Sequence, residues 1–115
     1  MTIVEKTVTL YLTIGGESPF IRWYHSLKDK RANEIILARI ARVRSGNIGD
    51  FKIIGNGVFE FRIHYGSGFR IYFGLENNEI VILLVGGDKS TQARDIKKAK
   101  EYWHDYKKKG KSQSF

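Results

Sequence analysis

The strongest constraint on the fold begins at residue 51. From there apolar residues recur at every second position in four short runs, about Phe51–Ile54, Val58–Tyr65, Phe69–Leu75 and Ile80–Val85. Gly55-Asn56-Gly57, Gly66-Ser67-Gly68 and Glu76-Asn77-Asn78 separate the runs. Successive side chains of a strand point to opposite faces, so a period of two reads as strands, and short Gly/Asn segments between them read as hairpin turns. The region therefore predicts an antiparallel meander. Ile80 to Val85 is apolar on both faces, which places that strand centrally.

The flanks follow other rules. Lys6 to Thr13 alternates, with Val8, Leu10 and Leu12 on one side and Thr7, Thr9 and Tyr11 on the other, and reads as a half-buried strand. Ser18-Pro19 is a capping residue followed by proline at the first helical position, predicting a short helix to about Leu27. Asp29 can cap a second helix with Ala32, Ile36, Ile40 and Val43 on its apolar stripe, stopped by Gly46-Asn47; Arg39, Arg42 and Arg44 lie off the stripe. A last helix begins near Ser90 or Thr91 and carries Ala93, Ile96, Ala99, Trp103 and Tyr106. The order β-α-α-β-β-β-β-α predicts an α+β domain, with two N-terminal helices and a C-terminal helix packed on one mostly antiparallel curved sheet.

A chain of 115 residues with 42% apolar content suits one core, and no linker or internal repeat divides it; residues 1–115 read as a single domain. There is no cysteine, which removes disulfides and thiolate chemistry and is consistent with a reducing cytoplasm. No signal peptide is expected from Met1 to Lys6, and Ile80 to Val85 is far too short to span a bilayer. His25, His64 and His104 lack zinc-ligand spacing, so no metal is expected, and the glycine segments do not form a phosphate-binding fingerprint.

The net charge of +8 favours a polyanionic partner. Residues 89–115 carry nine Lys/Arg against three Asp/Glu, ending in Lys107-Lys108-Lys109 and Lys111. Part of that excess is what a solvated helix end, favourable to the dipole, looks like. Asp88-Lys89-Ser90 precedes a helix start and suits either a phosphate or a cap.

The third and fourth alternating runs, Val58–Tyr65 and Phe69–Leu75, gather the candidate chemistry. A three-residue turn at Gly66-Ser67-Gly68 pairs Tyr65 with Phe69 and Ile63 with Ile71, keeping apolar opposite apolar. His64 then faces Arg70, and Arg62 faces Tyr72, with Glu60 on the same side. Such a face is also what the solvated side of an antiparallel sheet looks like. It nevertheless holds the parts for metal-free RNA cleavage, in which the RNA supplies its own 2′-hydroxyl. Arg62 and Arg70 match phosphate oxygens with their guanidinium forks. His64, Tyr72 or Glu60 can move protons, and Lys52 of the preceding strand can stabilise the leaving oxygen.

Four segments taken in order resemble the RelE/ParE toxin superfamily, and within it the addiction-module killer, or HigB-like, branch. They are Gly46-Asn47-Ile48-Gly49-Asp50-Phe51-Lys52, Gly57-Val58-Phe59-Glu60-Phe61-Arg62-Ile63, Gly68-Phe69-Arg70-Ile71-Tyr72-Phe73, and Leu83-Leu84-Val85-Gly86-Gly87-Asp88-Lys89-Ser90-Thr91-Gln92 with Asp95-Ile96 and Ala99. The resemblance spans roughly Arg22 to Trp103. It implies a type II toxin neutralised by a cognate antitoxin, often a small helix-turn-helix protein. It further implies cleavage of mRNA on the ribosome without metal or small-molecule cofactor, in the cytoplasm and with no membrane partner. By motif, Arg62, Arg70 and Lys52 match basic sheet positions of the superfamily, and Lys89 lies in its GGDK segment. Lys89, Arg94, Lys97 and Lys98 are the expected RNA-binding residues. The superfamily's C-terminal catalytic tyrosine and acid–aromatic–histidine cluster have no clear counterpart, so Tyr72 and His64 stand as replacements. Two other readings remain: a ParE-like inhibitor of DNA gyrase, and a non-catalytic module that binds antitoxin or RNA.

Overall fold

The period-two region folds as the expected meander, and helices cover both of its faces. The computed structural model describes residues 5–109 and 112–115. Its elements are β1 (Thr7–Tyr11), α1 (Pro19–Ser26), α2 (Lys30–Arg44), β2 (Phe51–Gly55), β3 (Val58–Ile63), β4 (Phe69–Glu76), β5 (Ile80–Asp88), a 3₁₀ turn (Lys89–Thr91), α3 (Gln92–Lys109) and β6 (Ser112–Ser114). The sheet order is β2-β3-β4-β5-β1-β6. β5 is central, antiparallel to β4 and parallel to β1. The α+β class and the order of elements are as the sequence predicts, with β6 added.

Capping fixes the two N-terminal helices. The Ser18 hydroxyl accepts from Ile21 N at 3.1 Å, with Pro19 at the first position, and Asp29 accepts from Arg31 N at 2.9 Å and Ala32 N at 3.3 Å. Each cap is worth about 1 kcal/mol. Phe20, Ile36, Ile40 and Val43 then pack with Phe61, Ile71, Phe73 and Leu83 on one face of the sheet. Arg39, off the apolar stripe, is nevertheless buried. Its guanidinium donates to the carbonyls of Arg62 (2.9 Å), Ile48 (3.1 Å) and Asp50 (2.6 Å), tying α2 to the segments that enter β2 and leave β3.

On the opposite face, Ala99, Trp103 and Tyr106 of α3 pack with Val58, Tyr72, Ile82, Leu84 and Tyr11. Gly74 of β4 has no side chain, and the Trp103 ring fills that space. A bulge opposite Tyr72 and Phe73, where Tyr72 pairs with Val85 and Phe73 with Leu83, leaves Leu84 as an extra residue in β5. β1 is buried on both sides, not one, because Tyr11 lies under α3 and donates to Asp105 at 2.5 Å.

The chain's end corrects a second expectation. Beyond the basic helix end the chain returns as β6, antiparallel to β1, and the Phe115 ring meets Phe20 edge-on at 6.1 Å with Arg44 over it at 5.6 Å. Lys111 of the basic tail and residues 1–4 lie outside the described residues.

Candidate functional site

The register of β3 and β4 decides which side chains meet. The observed pairs are Ile63 with Phe69, Arg62 with Arg70, Phe61 with Ile71 and Glu60 with Tyr72. The sequence reading paired Ile63 with Ile71, so the true register differs by two residues. A shift of two keeps every side chain on its expected face but changes every partner. The cause lies in the turn. β3 stops at Ile63, Gly68 N donates to Tyr65 O at 2.9 Å, and Gly66 and Gly68 take positive φ of 59° and 88°. The Tyr65 hydroxyl donates to Asp29 at 2.8 Å, which holds Tyr65 against the start of α2 and out of the ladder. His64 therefore leaves the strand. Its ring is 79% exposed and lies 3.4 Å from Asp50.

Arg62 and Arg70 become direct cross-strand neighbours. Like charges so placed repel, and Glu60 compensates. Its carboxylate is fully buried, with one oxygen 2.9 Å from Arg62 Nε and the other 3.7 Å from Arg70 Nε. The second oxygen also accepts from Gln92 Nε2 at 3.3 Å, from the first residue of α3. Among the described residues, Glu60 is the hydrogen-bond or ion-pair partner of both guanidinium groups, and their terminal nitrogens have none. The Arg62 side chain is 31% exposed and that of Arg70 is 12% exposed. Both line a cleft of about 160 Å³ together with His64 and Lys89.

The start of α3 closes one wall of this arrangement. Asp88 caps the 3₁₀ turn: its carboxylate accepts from Ser90 N at 2.8 Å, while Asp88 N donates to Thr91 Oγ1 at 3.3 Å. The cap lies in the Asp88-Lys89-Ser90 segment that suited either a phosphate or a cap, and the α-helix proper begins at Gln92, next to the expected start near Ser90 or Thr91. Thr91 donates to the buried Asp95 at 2.5 Å. Both pack directly over Gly87, the residue beside Arg70 in β5, where a side chain would collide with them.

The other candidates do not line this cleft. Tyr72 is fully buried beneath α3, and its hydroxyl makes no hydrogen bond within 3.5 Å among the described residues, so the open position expected for it does not exist. Burial first, and then the charges of Glu60 and Asp95, push its phenol far above the ordinary range. Lys52 is exposed on β2, directly paired with Glu60. Arg94 and Lys98 line a separate groove of about 380 Å³ between α3 and α1, with Trp23 and Tyr102. Lys97 is exposed on α3. Sequence periodicity gave no reason to single out Gln92; its contact with Glu60 spans 32 residues and exists only after the helix docks.

Among the described residues, no helix is long and apolar enough to cross a membrane, and no three His, Cys, Asp or Glu side chains are placed to share a metal ion.

Comparison with known proteins places this geometry in a family. The family model described as phage derived protein Gp49-like (DUF891) matches residues 23–104. An uncharacterized protein of Haemophilus influenzae is 52% identical over 81 residues, covering 70% of this chain and 82% of that protein. The family span runs from Trp23 in α1 to His104 in α3 and includes Glu60, both arginines, His64, Lys89 and Gln92. The chain belongs to the Gp49-like family of phage-derived proteins, a RelE-like family of toxins from toxin–antitoxin pairs.

Proposed function

We propose that the chain is the toxin of a type II toxin–antitoxin pair, of the HigB-like branch, and that it cleaves mRNA on the ribosome. The observation that carries this reading is the pair of adjacent guanidinium groups, Arg62 and Arg70, whose terminal nitrogens have no partner among the described residues, at a cleft shared with His64 and Lys89. Forks so placed match the non-bridging oxygens of a phosphodiester and neutralise the charge that grows there in the transition state.

The RNA 2′-oxygen attacks phosphorus, forming the O2′–P bond while the P–O5′ bond breaks. The products are a 2′,3′-cyclic phosphate and a 5′-hydroxyl end. One proton must leave the 2′-hydroxyl and one must reach O5′. His64 is the imidazole of the cleft, exposed and 3.4 Å from Asp50, and is the group we assign to proton transfer. Tyr72, sealed under α3, is given no proton-transfer role. Lys52 supports the leaving oxygen, while Lys89, Arg94, Lys97 and Lys98 guide RNA along α3 with the salt dependence of phosphate contacts. A cognate helix-turn-helix antitoxin, acidic where it meets this face, is the proposed protein partner, and the cytoplasm the proposed site of action.

The test is purified protein incubated with ribosome-bound mRNA, with cut ends mapped. Cutting that requires ribosomes and drops by about 10²–10³-fold in Arg62→Ala and in Arg70→Ala is the expected result. Intact mRNA accompanied by DNA breaks in expressing cells would transfer the reading to gyrase inhibition. Salt-dependent RNA binding without cutting would reduce the protein to a binding module.

A further inference from the structure

Glu60 is the fully buried carboxylate of β3, and its surroundings are unusual for a sheet interior. It lies on the same face as Arg62, two residues along the strand, and directly opposite Tyr72. Taking a carboxylate out of water costs several kcal/mol unless close partners compensate. Here the compensation comes from two guanidinium groups and one side-chain amide. Arg62 Nε donates to one carboxylate oxygen at 2.9 Å, whereas Arg70 Nε lies 3.7 Å from the other, an ion-pair distance, and makes no hydrogen bond among the described residues; Gln92 holds that second oxygen from α3 at 3.3 Å.

These contacts have a geometric result. A guanidinium is planar, so the Nε hydrogen bond restricts rotation of the whole Arg62 fork, while Arg70 is held by its burial and the charge of Glu60. The terminal nitrogens, which have no partner among the described residues, are left for an external anion. We infer that Glu60 is a positioning residue that joins Arg62 and Arg70 into one preorganised receptor for a single phosphodiester, and that Gln92 locks it there from α3. This rests on the reading of the chain as an RNA-cleaving toxin. Glu60 itself touches neither RNA nor the moving protons.

Positioning and charge act in opposite directions here, which makes the idea testable. Glu60→Gln removes a negative charge from a basic site, so charge alone would strengthen RNA binding. Loss of positioning would lower turnover, because a misplacement of about 1 Å can cost about 10²-fold in rate. Glu60→Gln is expected to bind an uncleavable 2′-O-methyl RNA oligonucleotide within threefold of wild type, or more tightly. Its turnover on ribosome-bound mRNA is expected to fall by about 10–100-fold with KM unchanged or lower. Gln92→Ala keeps every charge of the cluster and should show the same split with a several-fold loss of turnover, so the test survives if Glu60→Gln folds poorly.

The arginine Nε–H signals in ¹⁵N NMR give a readout independent of cleavage. In wild type, that of Arg62 should exchange slowly, and those of both Arg62 and Arg70 should shift on titration with the oligonucleotide; in Glu60→Gln the Arg62 signal should broaden and exchange fast. Wild-type turnover in both variants, or an unchanged Arg62 Nε–H signal in Glu60→Gln, overturns the positioning role. A wild-type protein that cuts no RNA, yet shows the slow Arg62 signal and the titratable Nε–H pair, leaves the receptor standing and overturns only the cleavage reading.

Discussion

Arg62 and Arg70 face each other across β3 and β4, and the buried carboxylate of Glu60 accepts the approach of both from beneath. The two cations are therefore part of the interior's charge balance as well as of the cleft. Substituting the more buried one, Arg70, with alanine leaves Glu60 with one guanidinium fewer. Arg70→Ala should lose more stability than Arg62→Ala in urea unfolding. Equal midpoints for the two variants would contradict the balance described.

Asp95 of α3 and Thr91 before it pack directly over Gly87 of β5. A methyl group there would meet the Asp95 carboxylate and lie 2.8 Å from Thr91 Oγ1. Gly87→Ala should cost about 1–3 kcal/mol by overpacking. It should also move the start of α3, taking Gln92 away from Glu60, so cleavage should fall further than the stability loss explains. Urea midpoints and initial cleavage rates at low temperature separate the two effects.

Arg39 is a structural arginine on the opposite face. Its three carbonyl partners bridge α2, the segment before β2, and β3. Arg39→Met removes the donor from three part-buried acceptors and should cost about 3 kcal/mol, at roughly 1 kcal/mol for each bond. Arg39→Lys, with one ammonium in place of a fork, should recover only part of it. A melting temperature within a degree of wild type for Arg39→Met would falsify this role.

Alkaline pH should loosen α3. Burial, followed by the hydrogen bond to Glu76 at 2.7 Å, pushes the Tyr106 phenol up to about 12 from an ordinary value of 10.0. Tyr11 and Tyr72 on the same face are raised as well, burial again being the first cause. A raised pKa in the folded state means the protonated form is favoured by folding. The stabilisation is fully present below pH 10.0 and is lost as pH rises through about 12. Absorbance near 295 nm and far-ultraviolet circular dichroism should therefore show these tyrosines ionising together with loss of helix. Ionisation of all six tyrosines near their ordinary value with helicity intact would contradict it.

Acid should weaken the other end of α3. The Ser90 hydroxyl, hydrogen-bonded to Asp88, holds that carboxyl below its ordinary 3.8, with the backbone of Ser90 and Thr91 adding to the effect. A depressed pKa contributes stability above the ordinary value and loses it as pH falls below 3.8. Asp88→Ala should cost about 1 kcal/mol at neutral pH, as loss of a cap does. The difference from wild type should shrink in acid, which urea melts at pH 7 and pH 3 would measure.

What the sequence revealed, and what it did not, divides along physical lines. The alternation from Phe51 to Val85 gave the strands, and the doubly apolar Ile80 to Val85 gave the central one, because both signals are local. The shared face of Arg62 and Arg70 was also legible, since it depends only on parity. Their direct pairing was not. Two registers that differ by two residues satisfy the same alternation, and a Tyr65–Asp29 hydrogen bond between distant segments favours one of them. Burial of Tyr72 and Glu60 was hidden for a similar reason. The stripe of Ala99, Trp103 and Tyr106 shows that α3 must cover something, but the pattern does not say which face. Arg39 looked solvated because its charge, not its reach, dominates a pattern reading. β6 has three polar residues and no periodicity to read.

The parallel pairing of β1 with β5 matters for how the molecule is born. Thr7 pairs with Ile80, so the N-terminal strand waits for most of the chain to be synthesised before its partner exists. α1 and α2 leave the ribosome with no completed sheet to lie on, and Glu60 emerges long before Gln92. Contacts this distant in sequence form late, after a large loop has closed. A chain made only as far as β4 therefore carries both arginines without Gln92, and the contact that holds Glu60 from α3 forms only after α3 has been made.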